Sequence, residues 1–127
     1  MKSIEVVAAI IVNDNNEIFC AKRKNEGPLA LKWEFPGGKI EDGETYEEAL
    51  VREIFEEFST KIEVKAFIMT VKHQYKTFHL TMHAFYADVI EGDLRLNEHT
   101  DFRWLKKDQL LSLDWAEADI PIVRSLI

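Results

Sequence analysis

Glu53, Glu56 and Glu57 stand at i, i+3 and i+4, a spacing that puts three carboxylates on one face of a helix. Like charges crowded in this way repel, and a hard divalent cation such as Mg²⁺, which takes oxygen ligands, relieves them. Two further acids, Glu44 and Glu47, lie upstream, and the run follows a Gly37-Gly38 pair whose missing side chains let backbone approach a ligand closely. A Gly-rich turn leading into an acidic helix points to a metal site for phosphate chemistry.

The helix that must carry these acids has its own start signal. Thr45 and Glu48 match a capping box, in which each satisfies an orphan backbone donor, and the pattern predicts a helix over Thr45–Phe58. Leu50, Ile54 and Phe58 form its apolar stripe. Arg52 is four residues from both Glu48 and Glu56 and can pair with either, holding a carboxylate in place rather than binding phosphate. A lone helical Glu is ordinarily a solvated surface residue. Glu47 and Glu48 read that way, with capping or pairing as their role. Glu44 sits at the helix entrance, where the dipole favours negative charge, so a structural role and a site role fit it equally.

The flanking segments read as strands and loops. Ile4–Val12 is β-branched and apolar enough for a buried strand. The turn cluster Asn13–Asn16 leads to a returning strand over Glu17–Lys24, which predicts a hairpin. Asn25–Lys32 is a loop, Trp33–Phe35 a short extended piece before Pro36, and Pro36–Gly38 a turn. Ile62–Tyr75 and Phe78–Ile90 read as long strands joined at Lys76-Thr77, and Phe102–Leu105 as a short one. Lys107–Leu113 predicts a short helix. A last helix runs from about Pro121 to Leu126, with Asp119 as N-cap. Strands and helices mix without a βαβ rhythm, so the fold class is α+β, or a mixed β-sheet sandwiched between helices, rather than a doubly wound fold.

Bulk properties narrow the partners. The 127 residues suit a single domain, 1–127. A formal charge of −7 argues against a general nucleic-acid binder, whose footprint is basic. It leaves room for a small phosphorylated substrate, because bound metal reverses the local charge. Cys20 is the only cysteine, so no intrachain disulfide forms and a reducing compartment fits. The longest apolar run, Val6–Val12, is too short to span a bilayer, and the N-terminus lacks a signal-peptide pattern, so a cytoplasmic protein without membrane contact is expected. His73, His79, His83 and His99 make no zinc-ligand grouping with Cys20; His79 and His83, four apart in a strand pattern, read as sheet residues, and His99 falls with Glu98 in the loop before Phe102–Leu105. Oligomeric state, monomer or homodimer, is not encoded in any feature of this kind.

Gly38, five residues, Glu44, seven residues, then Arg52-Glu53-Ile54-Phe55-Glu56-Glu57 resembles the Nudix box, G-x5-E-x7-R-E-U-x-E-E-x-G-U with U aliphatic. Trp33 to Lys39, the apolar first strand, its Asn-rich turn and Lys22-Arg23 resemble MutT-type nucleoside triphosphate pyrophosphohydrolases, above all the branch of small enzymes that cleave cytidine and modified nucleotides. The match departs at Ser59 and Thr60, where the box has Gly and an aliphatic residue. A left-handed residue at a helix end suits Gly and strains Ser, so either the helix ends differently or Ser59 is strained.

The resemblance implies a Nudix fold and Mg²⁺-dependent hydrolysis of a nucleoside triphosphate, modified or oxidised bases included, to the monophosphate and pyrophosphate. This is the nucleotide-pool sanitising reaction, with Mn²⁺ as a substitute cation. It implies a metal cage of the Gly37 carbonyl with Glu53, Glu56 and Glu57, joined by Glu98 from a later loop. Glu53 is the expected general base and Glu98 its rival. It also implies substrate contacts from Arg23, Glu34, Phe35, Gly38, Tyr75 and Asp119, with Glu44, Glu48 and Arg52 supporting the motif. Phe78 reads as core. An ionised Asp119 only accepts hydrogen bonds and would favour bases presenting an amino group; a lactam edge would suit Asn better. Two other classes compete: a Nudix module that senses a nucleotide or partner without turnover, and a solvated acidic helix in an unrelated α+β protein. The presence of every box acid argues against the first. The coincidence of capping box, Gly-Gly turn and acid triple argues against the second.

Overall fold

The computed structural model describes residues Met1–Ile127. Strand β1 (Lys2–Ile11) lies inside a four-stranded sheet of order β4-β1-β6-β5, with β4 at Gly37–Lys39, β5 at Lys61–Gln74 and β6 at Phe78–Glu91. It runs antiparallel to β4 and parallel to β6, so the sheet is mixed. A second, antiparallel sheet has order β3-β2-β7, from Trp33–Glu34, Ile18–Lys22 and Asp101–Leu105.

The apolar run of β1 is explained by burial on both faces. Val7, Ala9 and Ile11 pack with Leu50, Ile54 and Phe58 of helix α1 (Tyr46–Phe58). Ala8 and Ile10 join the opposite core, with Ile122, Val123 and Leu126 of helix α2 (Ile120–Leu126). The sheet is therefore sandwiched between helices, as expected. No helix is long and apolar enough to cross a membrane.

Four local expectations are corrected. β1 and β2 do not form a hairpin. A single bridge, Val12–Ile18, joins them before they part into different sheets. The turn itself forms, with Asn13 Oδ1 accepting from the N–H groups of Asn15 and Glu17. However, Ile18, Phe19, Cys20 and Ala21 are all buried, and such a strand needs cover on both faces and neighbours on both edges. Gly37–Lys39 is strand β4, not the second half of a turn: a Cβ on Gly37 would run into the Val7 carbonyl, so only Gly lets β4 lie this close to β1. Lys107–Ser112 winds as a 3-10 helix. Asp119 ends a short 3-10 turn (Glu117–Asp119) before α2 and does not cap α2 with its side chain. Its carboxylate is engaged elsewhere.

Candidate active site

Helix α1 starts with the capping box that Thr45 and Glu48 predict. Thr45 Oγ1 accepts from the Glu48 N–H at 3.1 Å, and Glu48 Oε1 accepts from the Thr45 N–H at 2.9 Å. Glu48 is thereby occupied, and Arg52 does not pair with it. Arg52 instead grips Glu44 with two bonds, Nε to Oε2 at 2.7 Å and Nη2 to Oε1 at 2.9 Å, and donates to the Lys39 carbonyl. Its Nη1 reaches Glu53 Oε1 at 2.9 Å and Glu56 Oε2 at 3.3 Å. One guanidinium thus ties α1 to β4 and to the loop between them while holding three of the box acids, Glu44, Glu53 and Glu56. The pairing with Arg52, reinforced by the Glu41 N–H, keeps the Glu44 carboxyl below its ordinary range.

The acids behind Arg52 are in a different state. Burial raises the Glu53 carboxyl, outweighing Arg52. Glu57 is pushed up to about 8, first by burial and then by the charges of Glu53, Glu34 and Glu98, with Arg23 opposing. Partly buried carboxylates gathered with too little positive charge suit a hard divalent cation, and their oxygens, with the Gly37 carbonyl, are the donors Mg²⁺ prefers. Close approach is built in: a Cβ on Gly38 would collide with the Glu53 carboxylate. No three of the acids stand together as a ligand cluster, and Arg52 is paired with Glu53 and Glu56.

Two adjoining cavities meet at these residues. One, of about 420 Å³, extends from Glu53 and Glu57 to an apolar end around Phe35, Tyr75 and Phe78. The other, of about 290 Å³, is lined by no hydrophobic residue and gathers Lys24, Glu56, Glu98 and His99. Arg23, Glu34 and Glu57 border both. A wider groove of about 760 Å³ around Val51, Phe55 and Ile90 lies on the other side of α1, away from Glu53 and Glu57.

Glu98 comes to the carboxylate end, exposed and within 3.5 Å of the Lys24 ammonium. Its loop is docked on the end of α1. Ser59 is the left-handed C-cap residue, at φ 52° and ψ 38°, so the helix ends where the box would place its Gly and the strain is real. Asn97 Nδ2 donates to the Glu56 carbonyl and to Ser59 Oγ, and the Asn97 and Arg95 N–H groups donate to the Glu57 and Phe58 carbonyls. Thr60, buried where the box has an aliphatic residue, donates to the Phe58 carbonyl and accepts from the Leu94 N–H.

At the apolar end Phe35 is buried against Trp115, with ring centroids 4.6 Å apart. Phe78 is not core: it is half-buried, stacks on Tyr75 at 4.9 Å and lines the cavity. The Tyr75 hydroxyl accepts from the Ala118 N–H, which holds the ring at the cavity wall. Asp119 lies here too. Its Oδ1 accepts from the Phe35 N–H at 3.0 Å. Burial and the charge of Glu34 raise its carboxyl well above the ordinary range. That direction favours a protonated Asp119, which donates as well as accepts, over the ionised form expected to prefer amino-bearing bases.

His99 is the residue that sequence reasoning missed. It sits in the loop that carries Glu98, as expected, stacks on Phe58 with centroids 5.0 Å apart and bonds Glu34 through Nε2 at 2.8 Å. Only its position next to Glu98 could have drawn attention to it.

A NUDIX domain model matches residues 7–125. The chain is 35% identical over 127 residues to a CTP pyrophosphohydrolase of Escherichia coli K12, covering 100% of this chain and 93% of that protein. It is 33% identical to an 8-oxo-dGTP diphosphatase of the same strain, covering 99% and 98%. The crystal structure of a MutT NUDIX hydrolase from Burkholderia pseudomallei superposes with a TM-score of 0.85 at 25% identity, covering all of both chains. The fold, the box and its acids thus define a nucleotide-hydrolase type of site, and the chain belongs to the Nudix family.

Proposed function

We propose that this protein hydrolyses a nucleoside triphosphate, with a normal, modified or oxidised base, to the monophosphate and pyrophosphate in the cytoplasm, with Mg²⁺ as cofactor. The observation that carries this is the junction of the two cavities: one end is apolar and aromatic, the other is carboxylate-rich, and Arg23, Glu34 and Glu57 border both. A base fits the first end and a polyphosphate with its cations the second. The named relatives act on CTP and 8-oxo-dGTP, which supports a triphosphate substrate with a choice of base.

The Gly37 carbonyl, Glu53, Glu56, Glu57 and Glu98 would hold the metal. Bound there, Mg²⁺ supplies charge neutralisation on the polyphosphate and activation of the attacking water. The protein contributes positioning. Arg52 keeps Glu53 and Glu56 in register on the helix face. Glu53 is the general base in this reading, since burial raises its proton affinity and the missing Cβ of Gly38 makes room for its carboxylate at the cavity wall. Arg23 lies where phosphates meet nucleoside, and Asp119 lines the same cavity as Phe35 and Tyr75, beside the base end.

The test is a panel of nucleoside triphosphates with Mg²⁺, then with Mn²⁺, then with chelator, resolving monophosphate, pyrophosphate and inorganic phosphate. Pyrophosphate release that stops with chelator is expected. Inorganic phosphate in its place rejects the assigned bond cleavage, and no turnover of any nucleotide rejects the enzyme. Glu53→Gln should lower kcat by about 10²-fold or more with the fold intact; near-normal kcat rejects Glu53 as base.

A further inference from the structure

His99 is buried at some cost. Its side chain is 5% exposed, and Nδ1 is enclosed with no hydrogen-bond partner. A buried polar atom left unpaired destabilises a fold, and Phe would fill the same space against Phe58 without that penalty. The only polar contact of the ring is Nε2 with Glu34 Oε2 at 2.8 Å. The other oxygen of Glu34 accepts from Arg23 Nη1 at 3.0 Å. A carboxylate paired with a guanidinium accepts only, so Nε2 carries the proton in this contact.

We propose that His99 is a positioning residue for Arg23, acting through Glu34. The proposal rests on the reading above that the joined cavities take a nucleoside triphosphate. Arg23 lies just past β2 and borders both cavities, so its guanidinium stands where the nucleoside end meets the phosphate end. Its backbone is tied down by the bond from its N–H to the Lys32 carbonyl, but its side chain is long and half-exposed. Four carboxylates border the polar cavity, Glu34, Glu56, Glu57 and Glu98, and a free guanidinium could pair with any of them. Lys24 takes Glu98 and Glu26. His99 fixes one oxygen of Glu34, leaving the other as the single defined acceptor for Arg23. A planar guanidinium held in one orientation loses less freedom when it meets a phosphate, and substrate binding strengthens accordingly. Glu34, with both oxygens committed, is an organiser of Arg23 rather than a metal ligand.

The experiment compares His99→Phe, which keeps the ring and the stack on Phe58, with His99→Gln, whose amide N–H can reach Glu34. Steady-state kinetics should show KM for the triphosphate raised about tenfold in the Phe variant with kcat changed less than about threefold. The Gln variant should recover most of the loss. In an Arg23→Gln background, His99→Phe should change nothing further. A normal KM in His99→Phe, a fall in kcat with KM unchanged, or an equal rise in KM without Arg23 overturns the proposal. If the wild-type protein turns over no nucleotide, the functional reading fails on its own. The positioning is then decided by the Arg23 Nε–H resonance in a ¹⁵N spectrum. It should shift or broaden in His99→Phe and return in His99→Gln; an unmoved resonance refutes the relay.

Discussion

Asn97 is hydrogen-bonded through its side-chain amide to the hydroxyl of Ser59, at 3.0 Å, across the end of the acidic helix. Ser59 is held left-handed at φ 52°, a conformation that disfavours any residue with a Cβ by roughly 1–2 kcal/mol. Its hydroxyl gives back part of that cost by receiving Asn97, the residue before Glu98. Ser59→Gly should therefore leave stability within about 1 kcal/mol of wild type, relief of strain offsetting the lost bond. Asn97→Ala also removes the contact with the Glu56 carbonyl and should cost about 1–2 kcal/mol. A double-mutant cycle by urea denaturation should return a coupling of about 0.5–1 kcal/mol; zero coupling would mean that Ser59 is merely tolerated.

Much of the site was legible because its signals are local. The acid triple, the capping box and the Gly-Gly pair lie within one helical segment and its approach, where spacing reads directly as a face. The long-range partners were not. The parallel pairing of Val6 with Met82 depends on a strand far along the chain, and no pattern in either segment names the other. Nor does one residue type disclose which competing partner it takes. Arg52 could reach Glu48 or Glu56 by helical spacing, but Glu48 was already committed to Thr45, and Glu44 entered from outside the helix. Asp119 next to Pro121 resembles a cap, and only the fold brings the Phe35 N–H to its carboxylate.

Arg52 neutralises acids that would otherwise face one another. Its side chain and those of Glu44 and Glu53 are 22%, 18% and 12% exposed, so the network is largely sheltered from water. Removing one partner from a buried pair strands the others. Arg52→Gln should destabilise the protein by about 1–3 kcal/mol, discounted for partial exposure. It should also lower kcat, because Glu53 loses its hold. Thermal melts beside steady-state kinetics check both; a stable variant with full activity would show that Arg52 is dispensable.

The raised Glu57 carboxyl makes metal-free stability depend on pH. A carboxyl whose folded pKa lies near 8, above its ordinary value, must be deprotonated against burial as pH rises. The penalty is absent below the unfolded pKa, grows above it and is complete above about 8. Melts in chelator should therefore show stability falling from about pH 5 to pH 8. Glu57→Gln should flatten that fall and melt higher than wild type at pH 8. Excess Mg²⁺ should raise the wild-type melting temperature at pH 8 and leave the Gln variant far less affected. A steeper fall in the variant, or equal metal stabilisation of both, contradicts the assignment of Glu57 as a ligand.

Asp119 contributes to the same pH dependence from the opposite end of the cavity, and substitution separates the two. Burial raises its carboxyl well above the usual range, so its contribution also favours the folded state at low pH and is lost as pH rises toward the folded pKa. Asp119→Asn keeps an oxygen for the Phe35 N–H and carries no charge at any pH. Its melting temperature should match wild type below the ordinary carboxylate value of 3.8 and exceed it increasingly as pH rises above that. A protonated Asp and an Asn both donate and accept, so the ranking of bases in the nucleotide panel should change little wherever the raised carboxyl keeps its proton. Asp119→Ala strands the Phe35 N–H and should cost about 1–3 kcal/mol at low pH, and less as pH rises and the wild-type carboxylate carries its own burial penalty. A reordered panel in Asp119→Asn at pH 7 would show instead that Asp119 reads the base as a carboxylate, and its proton would then have to leave when substrate enters.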